Sequence, residues 1–144
     1  MTSTLEELEK RIVVLEDMEE VRKLHREYVY YLANRQWDDL LYCFAGDALY
    51  DISDHGLRRG KKEIEDIVKN EFDKLIKPTH GHFSTQPVIS VDGDKANGHW
   101  ILYLFFPEPE VSWIQGRYDC EYIKVDGKWK FSSMRFRRWP AQPD

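Results

Sequence analysis

Two side chains in this sequence are of types that could carry out acid–base chemistry together. His82 lies in residues 79–83 (THGHF), and an imidazole can accept a proton at physiological pH. Tyr28 lies on the apolar side of a predicted helix, where a buried phenol needs a hydrogen-bond partner. We therefore predict that His82 is a general base and that Tyr28 binds or protonates a substrate oxygen. Each could instead be an ordinary core residue, and Tyr30 and Tyr31 compete with Tyr28.

Motifs for metal binding or covalent catalysis are not found in the sequence. His80 and His82 form a His-x-His pair, but no third ligand follows at a useful spacing. Cys43 and Cys120 lie among apolar neighbours, which is typical of buried reduced thiols in a cytosolic protein. There is no Ser nucleophile elbow, Gly-rich phosphate loop or paired Cys motif. The sequence therefore predicts no metal and no cofactor.

One predicted strand, residues 96–106, should supply part of a pocket wall. Side chains alternate between the two faces of a strand, so only one of His99 and Trp100 can face inward. Trp100 shares its face with Leu102 and Leu104, which favours Trp100 as the lining residue.

The composition fits one folded domain. The chain has 144 residues, of which 42% are hydrophobic and 14% aromatic, so a core built largely from rings is predicted. The net charge of −5 argues against nucleic acid as the main partner. Arg135, Arg137 and Arg138 form a basic group that we interpret as a solvated edge or an oligomer contact. No apolar run is long enough to cross a membrane, and the N-terminus is polar, so we expect a cytoplasmic protein without a membrane partner.

The N-terminal half predicts helices. Thr4 and Glu7 have the spacing of a capping box, and an apolar stripe then continues to near Asn34 as one long helix or two abutting helices. Residues 1–17 form a helical extension that we expect to be an oligomer contact or a surface arm, and not a free coiled coil, since two heptads are too few for one. Two further helices are predicted at residues 37–44 and 61–76.

The rest of the chain alternates apolar and polar residues, as strands do. The turns Asp92-Gly93-Asp94 and Asp126-Gly127 predict two hairpins. The predicted strands span residues 48–52, 57–59, 80–91, 96–106, 111–125 and 128–139. Helices followed by a four-strand meander indicate a single α+β domain over residues 1–144. In such a domain the helices close one side of a curved sheet and leave a cone-shaped interior for a small molecule.

Three motifs in this order resemble the SnoaL-like branch of the NTF2-like superfamily over about residues 15–140. They are Tyr28 followed by Trp37-Asp38-Asp39-Leu40, then His82-Phe83 followed by Val91-Asp92-Gly93-Asp94, and then residues 126–131 (DGKWKF). The resemblance implies an NTF2-like cone of helices on an antiparallel or mixed sheet. Within the superfamily the sequence is similar to bile-acid 7-alpha-dehydratases and scytalone dehydratase, which are cofactor-free lyases that assemble as trimers.

The resemblance also implies roles for individual residues. The catalytic histidine of these dehydratases falls on His82, their helix tyrosine on Tyr28 and a C-terminal arginine on Arg138. The aspartate that orients their histidine falls on Ala33, beside Asn34. Without that carboxylate the imidazole loses the partner that fixes its tautomer and stabilises its protonated form.

Other positions complete the implied site. The first-strand tyrosine of the bile-acid enzymes falls on Ile52, although Tyr50 is on the same strand face, and a later aspartate falls on Leu104. Asp51 and Asp119 are candidate replacements for the missing acid. The predicted substrate-binding residues are Tyr50, Trp100, Asn34 and Arg138.

Two functions fit these features. The first is a cofactor-independent lyase (a dehydratase) or isomerase, in which His82 removes a proton next to a carbonyl of a hydrophobic ring-containing substrate. The second is a small-ligand-binding or oligomerisation module with the same cone, which the missing carboxylate favours. In the enzyme the expected partner is a small hydrophobic oxygenated molecule, and the chain is expected to form a homo-oligomer, either a trimer or a dimer.

Overall fold

The computed structural model describes residues 4–139, so the ends of the predicted domain (residues 1–144) and the start of the predicted extension (residues 1–17) lie outside the described residues. The helices are α1 (Leu5–Ala33), α2 (Trp37–Tyr42), α3 (Gly60–Ile67) and α4 (Asp73–Leu75). The strands are β1 (Phe44–Ile52), β2 (Leu57–Arg59), β3 (Gly81–Asp92), β4 (Lys95–Phe106), β5 (Ser112–Val125) and β6 (Lys128–Trp139). A 3₁₀ turn spans Ser53–His55, and a π-helical turn, Val68–Phe72, joins α3 to α4.

The first helix, α1, is continuous, which decides between the two predicted alternatives. Its capping box is confirmed, because the Thr4 hydroxyl accepts a hydrogen bond from the Glu7 amide at 3.1 Å and the Glu7 carboxylate accepts one from the Thr4 amide at 3.2 Å. Residues from Asp17 to Leu32 on one side of this helix are buried against the sheet. Among residues 4–139, no helix has the length and apolar character needed to cross a membrane.

All six strands belong to one mixed sheet in the order β2-β1-β6-β5-β4-β3. The predicted meander is confirmed, since β3, β4, β5 and β6 pair antiparallel in chain order. β1 completes the sheet by pairing parallel to β6 and antiparallel to β2. Because α1 contacts both β3 and β6, the architecture is the predicted α+β arrangement of helices on a mixed sheet.

The start of β1 differs from the prediction. A helix was predicted through residue 44 and a strand only from residue 48, but α2 ends at Tyr42 and β1 begins at Phe44. The cause is non-local, because the Phe131 amide donates to the Cys43 carbonyl at 2.8 Å and so draws this segment onto β6. The register of β1 against β6 shifts between Phe44 and Leu49, so Gly46 and Asp47 lie in an irregular stretch of the strand.

Aromatic rings fill the space between α1 and the inner face of the sheet. His25 stacks on Trp100 with ring centroids 4.2 Å apart, and its Nδ1 lies 3.2 Å from the Tyr122 hydroxyl. The rings of Tyr118 and Phe131 meet the His25 ring edge-on. These five residues, called the ring cluster below, are all buried.

Candidate functional site

A cavity of about 440 Å³ lies beside the ring cluster, between the helical layer and the inner face of the sheet. Its walls are mostly aliphatic and aromatic, with contributions from Leu32, Phe72, Leu102, Leu104 and Phe136. Polar groups are few and come from Tyr28, Tyr50, Ser53, Asp54, His55, His80, His82, Tyr118 and Arg138. An apolar chamber with a small number of converging polar groups is the usual form of a small-molecule site.

His82 lies near the start of β3, opposite Leu104 on β4. Its Nδ1 is buried and has no hydrogen-bond partner among the residues that the structure describes. Burial, together with the neighbouring His80, lowers the pKa of His82 to about 4. The imidazole is therefore neutral at pH 7, which is the form that can accept a proton.

A pair of phenols forms the inner polar part of the cavity. The hydroxyl oxygens of Tyr28 on α1 and Tyr50 on β1 are 2.6 Å apart, and either can donate to the other. Burial, followed by the neighbouring Tyr50, raises the pKa of Tyr28 well above its ordinary value, and burial also raises the pKa of Tyr50. Both phenols therefore keep their protons over the physiological pH range and can hydrogen-bond a substrate oxygen.

The mouth of the cavity carries a cationic group. Arg138, near the end of β6, lines the cavity and makes no hydrogen bond or ion pair with another residue in the range 4–139. Its guanidinium is available to bind a ligand oxygen or anion. His55 is held by Glu71, whose carboxylate is 3.5 Å from its Nδ1 and also accepts from Arg58 at 2.8 Å.

Two of the predicted substrate-binding residues lie away from the cavity. Trp100 is on the same strand face as Leu102 and Leu104, as predicted, but it belongs to the ring cluster, where its Nε1 donates to Tyr122 at 3.2 Å. Asn34 is exposed at the end of α1, and its side-chain amide donates to the Tyr30 carbonyl at 2.8 Å. Neither side chain lines the cavity, whereas His82, Tyr28, Tyr50 and Arg138 do.

Neither of the candidate replacement acids lies beside His82. Asp51 accepts a hydrogen bond from Arg137 at 2.8 Å. Asp119 is 2.5 Å from His99 and is exposed on the outer face of the sheet. His82 Nδ1 therefore has no carboxylate partner among the described residues, because Ala33 has no carboxylate and neither aspartate bonds to the imidazole. In the structure these two acids bond to Arg137 and His99, not to His82.

The segment between β1 and β2 supplies site residues that the sequence did not indicate. Ser53, Asp54 and His55 fall between the predicted strands 48–52 and 57–59, yet all three line the cavity. Ser53 has a φ of 43°, a left-handed conformation that is uncommon for a residue other than glycine. The sequence around these three residues does not indicate that they line a cavity. Their position depends on where β1, which leads into the 3₁₀ turn, lies in the sheet. Within residues 4–139, no three His, Cys, Asp or Glu side chains are grouped to hold a metal ion.

One known domain family matches nearly the whole described chain. The sequence profile of the SnoaL-like domain matches residues 13–135. No curated protein sequence matches the chain significantly.

Solved structures of similar architecture include three that are informative. An NTF2-like protein with a cystatin-like fold from Novosphingobium aromaticivorans superposes with a TM-score of 0.88 at 17% identity, covering 99% of this chain and 94% of that one. The hexachlorocyclohexane dehydrochlorinase LinA-type3 from Novosphingobium barchaimii has a TM-score of 0.77 at 24% identity, covering 90% and 91%. A protein assigned as a scytalone dehydratase from N. aromaticivorans has a TM-score of 0.76 at 20% identity, covering 89% and 87%. At these identities the similarity establishes the fold.

Proposed function

Because this chain belongs to the SnoaL-like domain family, we propose that it is a cofactor-independent lyase or isomerase acting on a hydrophobic, ring-containing, oxygenated substrate. The observation that carries this proposal is a neutral, unpartnered His82 on the wall of an apolar cavity that also contains a phenol pair. Two of the structural neighbours are named for eliminations, a dehydrochlorinase and a dehydratase, which supports the same class of reaction.

The proposed step begins at a carbon next to a carbonyl group. His82 accepts the proton of that carbon, and the electron pair of the C–H bond forms a carbon–carbon double bond. In a lyase the leaving group on the adjacent carbon departs with its bonding pair, and in an isomerase the proton returns at another carbon. The hydroxyls of Tyr28 and Tyr50 donate to the carbonyl oxygen, whose negative charge increases during proton removal. Arg138 binds a second oxygen of the substrate at the mouth of the cavity.

The cavity sets the size and polarity of the substrate. A volume of about 440 Å³ lies within the usual range of small-molecule sites. Leucine, isoleucine and phenylalanine walls favour a carbon ring system, since burial of apolar surface contributes about 25 cal/mol for each Å². We therefore propose a substrate of one to three rings carrying at least one carbonyl group.

A second function is favoured by one specific observation. Ala33 provides no carboxylate, and His82 Nδ1 has no partner among the described residues, so the protonated form of the base lacks a charge partner. A binding module with the same cavity would need no such partner. The experiment below separates the two functions.

Proton exchange measures the base step directly. We expect the protein to accelerate exchange of the α-protons of a bicyclic ring ketone, α-tetralone, with D₂O, as followed by NMR. His82→Ala should reduce this acceleration by about 10²- to 10⁴-fold. His99→Ala, which removes an exposed imidazole on the outer face, is the matched control and should leave the rate unchanged. The rate should stay constant from about pH 8 to about pH 5, because the pKa of His82 is lowered to about 4.

The same protein samples should be assayed for release of chloride from hexachlorocyclohexane and of water from scytalone. Equal exchange rates in wild type and His82→Ala would disprove the role of His82. Saturable binding of α-tetralone with no exchange above that of buffer would support the binding module instead.

A further inference from the structure

The first part of α1 exposes a row of apolar side chains that nothing in the described chain covers. We call residues 5–16 the arm, and every one of them is exposed. Leu5, Leu8, Ile12 and Leu15 are 79%, 43%, 53% and 65% exposed. The arm is helical throughout and is therefore about 18 Å long, at a rise of 1.5 Å for each residue. An apolar surface of this kind on a monomer is typical of an interaction site.

The apolar row does not face the domain. At 3.6 residues per turn, the centre of the row lies roughly 160° around the helix from the side that α1 buries against the sheet. The buried side begins at Asp17, which accepts hydrogen bonds from Trp129 and Lys124 at 3.0 Å and 2.8 Å. A partner that covers the row therefore approaches from the side opposite to the body of the domain.

The spacing of the row matches two heptads. Leu5 and Ile12 occupy the a positions, and Leu8 and Leu15 occupy the d positions. Ile12 at one a position, with leucine at both d positions, favours two parallel strands over three or four, and Leu5 occupies the other a position. The arm is continuous with the part of α1 that packs on the sheet from Asp17 onward, so its two heptads do not have to form a free coiled coil. The row ends at the next a and d positions, where Glu19 and Arg22 bond to each other at 2.7 Å.

The charges beside the row select an orientation. In a parallel pair, Arg11 at g meets Glu16 at e of the second helix, and the symmetry repeats this attraction. In an antiparallel pair, positions of the same type meet, so Arg11 would face Arg11 and Glu9 would face Glu9. Like charges in contact disfavour that arrangement.

We propose that the arm binds the arm of a second copy of this chain as a parallel, two-stranded coiled coil of two heptads. The interface buries the row formed by Leu5, Leu8, Ile12 and Leu15 and is closed by Arg11–Glu16 pairs between copies. It is separate from the cavity, so the proposed function and this dimer can be tested independently.

Sedimentation velocity over a range of about 10 to 200 µM tests the dimer. The wild-type chain should show the mass of two chains, and Leu8→Ser combined with Ile12→Ser should weaken association by at least about 100-fold, since four buried side chains are lost from each dimer. Val13→Ser is the matched control, because Val13 is 52% exposed but lies outside the row. Circular dichroism should show the same folded content in all three proteins, because none of these side chains is in the core. The unfolding temperature should rise with protein concentration for the wild type and Val13→Ser, which dimerise, but not for the double variant.

Any of four results would overturn the proposal. The wild-type chain could be a monomer or a trimer, its assembly could keep its mass in the double variant, or Val13→Ser could weaken association as much as the double substitution does. Orientation is tested by Ile12→Cys, which should form a disulfide with its own copy under mild oxidation, since parallel a positions face each other. An antiparallel pair would place Ile12 opposite Leu8 and would leave this cysteine unlinked.

Discussion

A fully buried histidine, His25, and a partly buried one, His82, have similar titration behaviour and different surroundings. Burial lowers the pKa of His25 to about 3 and, together with His80, lowers that of His82 to about 4. Each ring also has a buried nitrogen without a hydrogen-bond partner among the described residues, Nε2 in His25 and Nδ1 in His82. His25, however, is stacked on Trp100 within the ring cluster, whereas His82 lies on the wall of a cavity of about 440 Å³.

A lowered pKa does not by itself identify a functional histidine. Both shifts have the same main cause, the cost of charging an imidazole away from water. The difference is open volume beside the ring, since only His82 can meet a ligand. We therefore expect substitutions at His25 to change stability and substitutions at His82 to change chemistry.

The largest stability effect is expected for His25→Ala. This change removes a fully buried ring, leaves a hole beside Trp100 and takes a partner from the Tyr122 hydroxyl, so the free energy of unfolding should fall by about 2–4 kcal/mol. His82→Ala should cost under about 1 kcal/mol, because its ring already borders open space. Urea unfolding followed by circular dichroism measures both. Equal losses would remove the proposed distinction.

A smaller effect is expected in the pH dependence of stability. The unfolded chain binds a proton at His25 below about pH 6.5, but the folded chain does not until about pH 3, so the free energy of unfolding rises with pH across this interval. His25→Phe removes one such site and should reduce the slope between about pH 4.5 and 5.5 by about 1.4 kcal/mol per pH unit. An unchanged slope would mean that His25 is not kept neutral in the folded state.

The phenol pair should contribute less. Tyr50→Phe leaves the buried Tyr28 hydroxyl without its partner at 2.6 Å, so the free energy of unfolding should fall by about 1 kcal/mol. The same substitution removes one donor to the substrate carbonyl, and the exchange rate of α-tetralone should fall with it. Normal exchange in Tyr50→Phe would assign the oxygen contact to Tyr28 alone.

The smallest effect is expected at Asn34. Its side chain bonds only to the Tyr30 carbonyl of its own helix and points away from the cavity lining, so Asn34→Ala should change stability by less than about 0.5 kcal/mol. Exchange and ligand binding should equal those of wild type. A loss of binding would restore Asn34 to the site.

The sequence was most informative where structure depends on neighbouring residues. Asp92-Gly93 and Asp126-Gly127 form the two predicted hairpins because turn chemistry is local, and both glycines have positive φ. The start of β1 was predicted wrongly because it depends on a contact between Cys43 and Phe131, which are far apart in the chain. Propensity alone carries no information about such a pairing.

The same division applies to the site. The alternation of side chains along β4 correctly predicted that Trp100 and Leu104 lie on the inner face. It could not predict which inner-face side chains reach the cavity, and Trp100 does not, because His25 stacks on it. The family resemblance indicated His82, Tyr28 and Arg138, and all three line one cavity. The catalytic and binding roles of these residues remain predictions that the exchange assay tests.

The parallel pairing of β1 with β6 also has a consequence for biosynthesis. Tyr50 and Ile52 from β1 line the cavity together with Phe136 and Arg138 from β6, which are translated more than eighty residues later. Until β6 has left the exit tunnel of the ribosome, β1 and β2 are therefore not joined to β3, β4 and β5, and pairing over such a distance is slow. We expect nascent chains that stop before residue 128 to bind chaperones or be degraded, so the binding cavity exists only in molecules whose last strand has been completed.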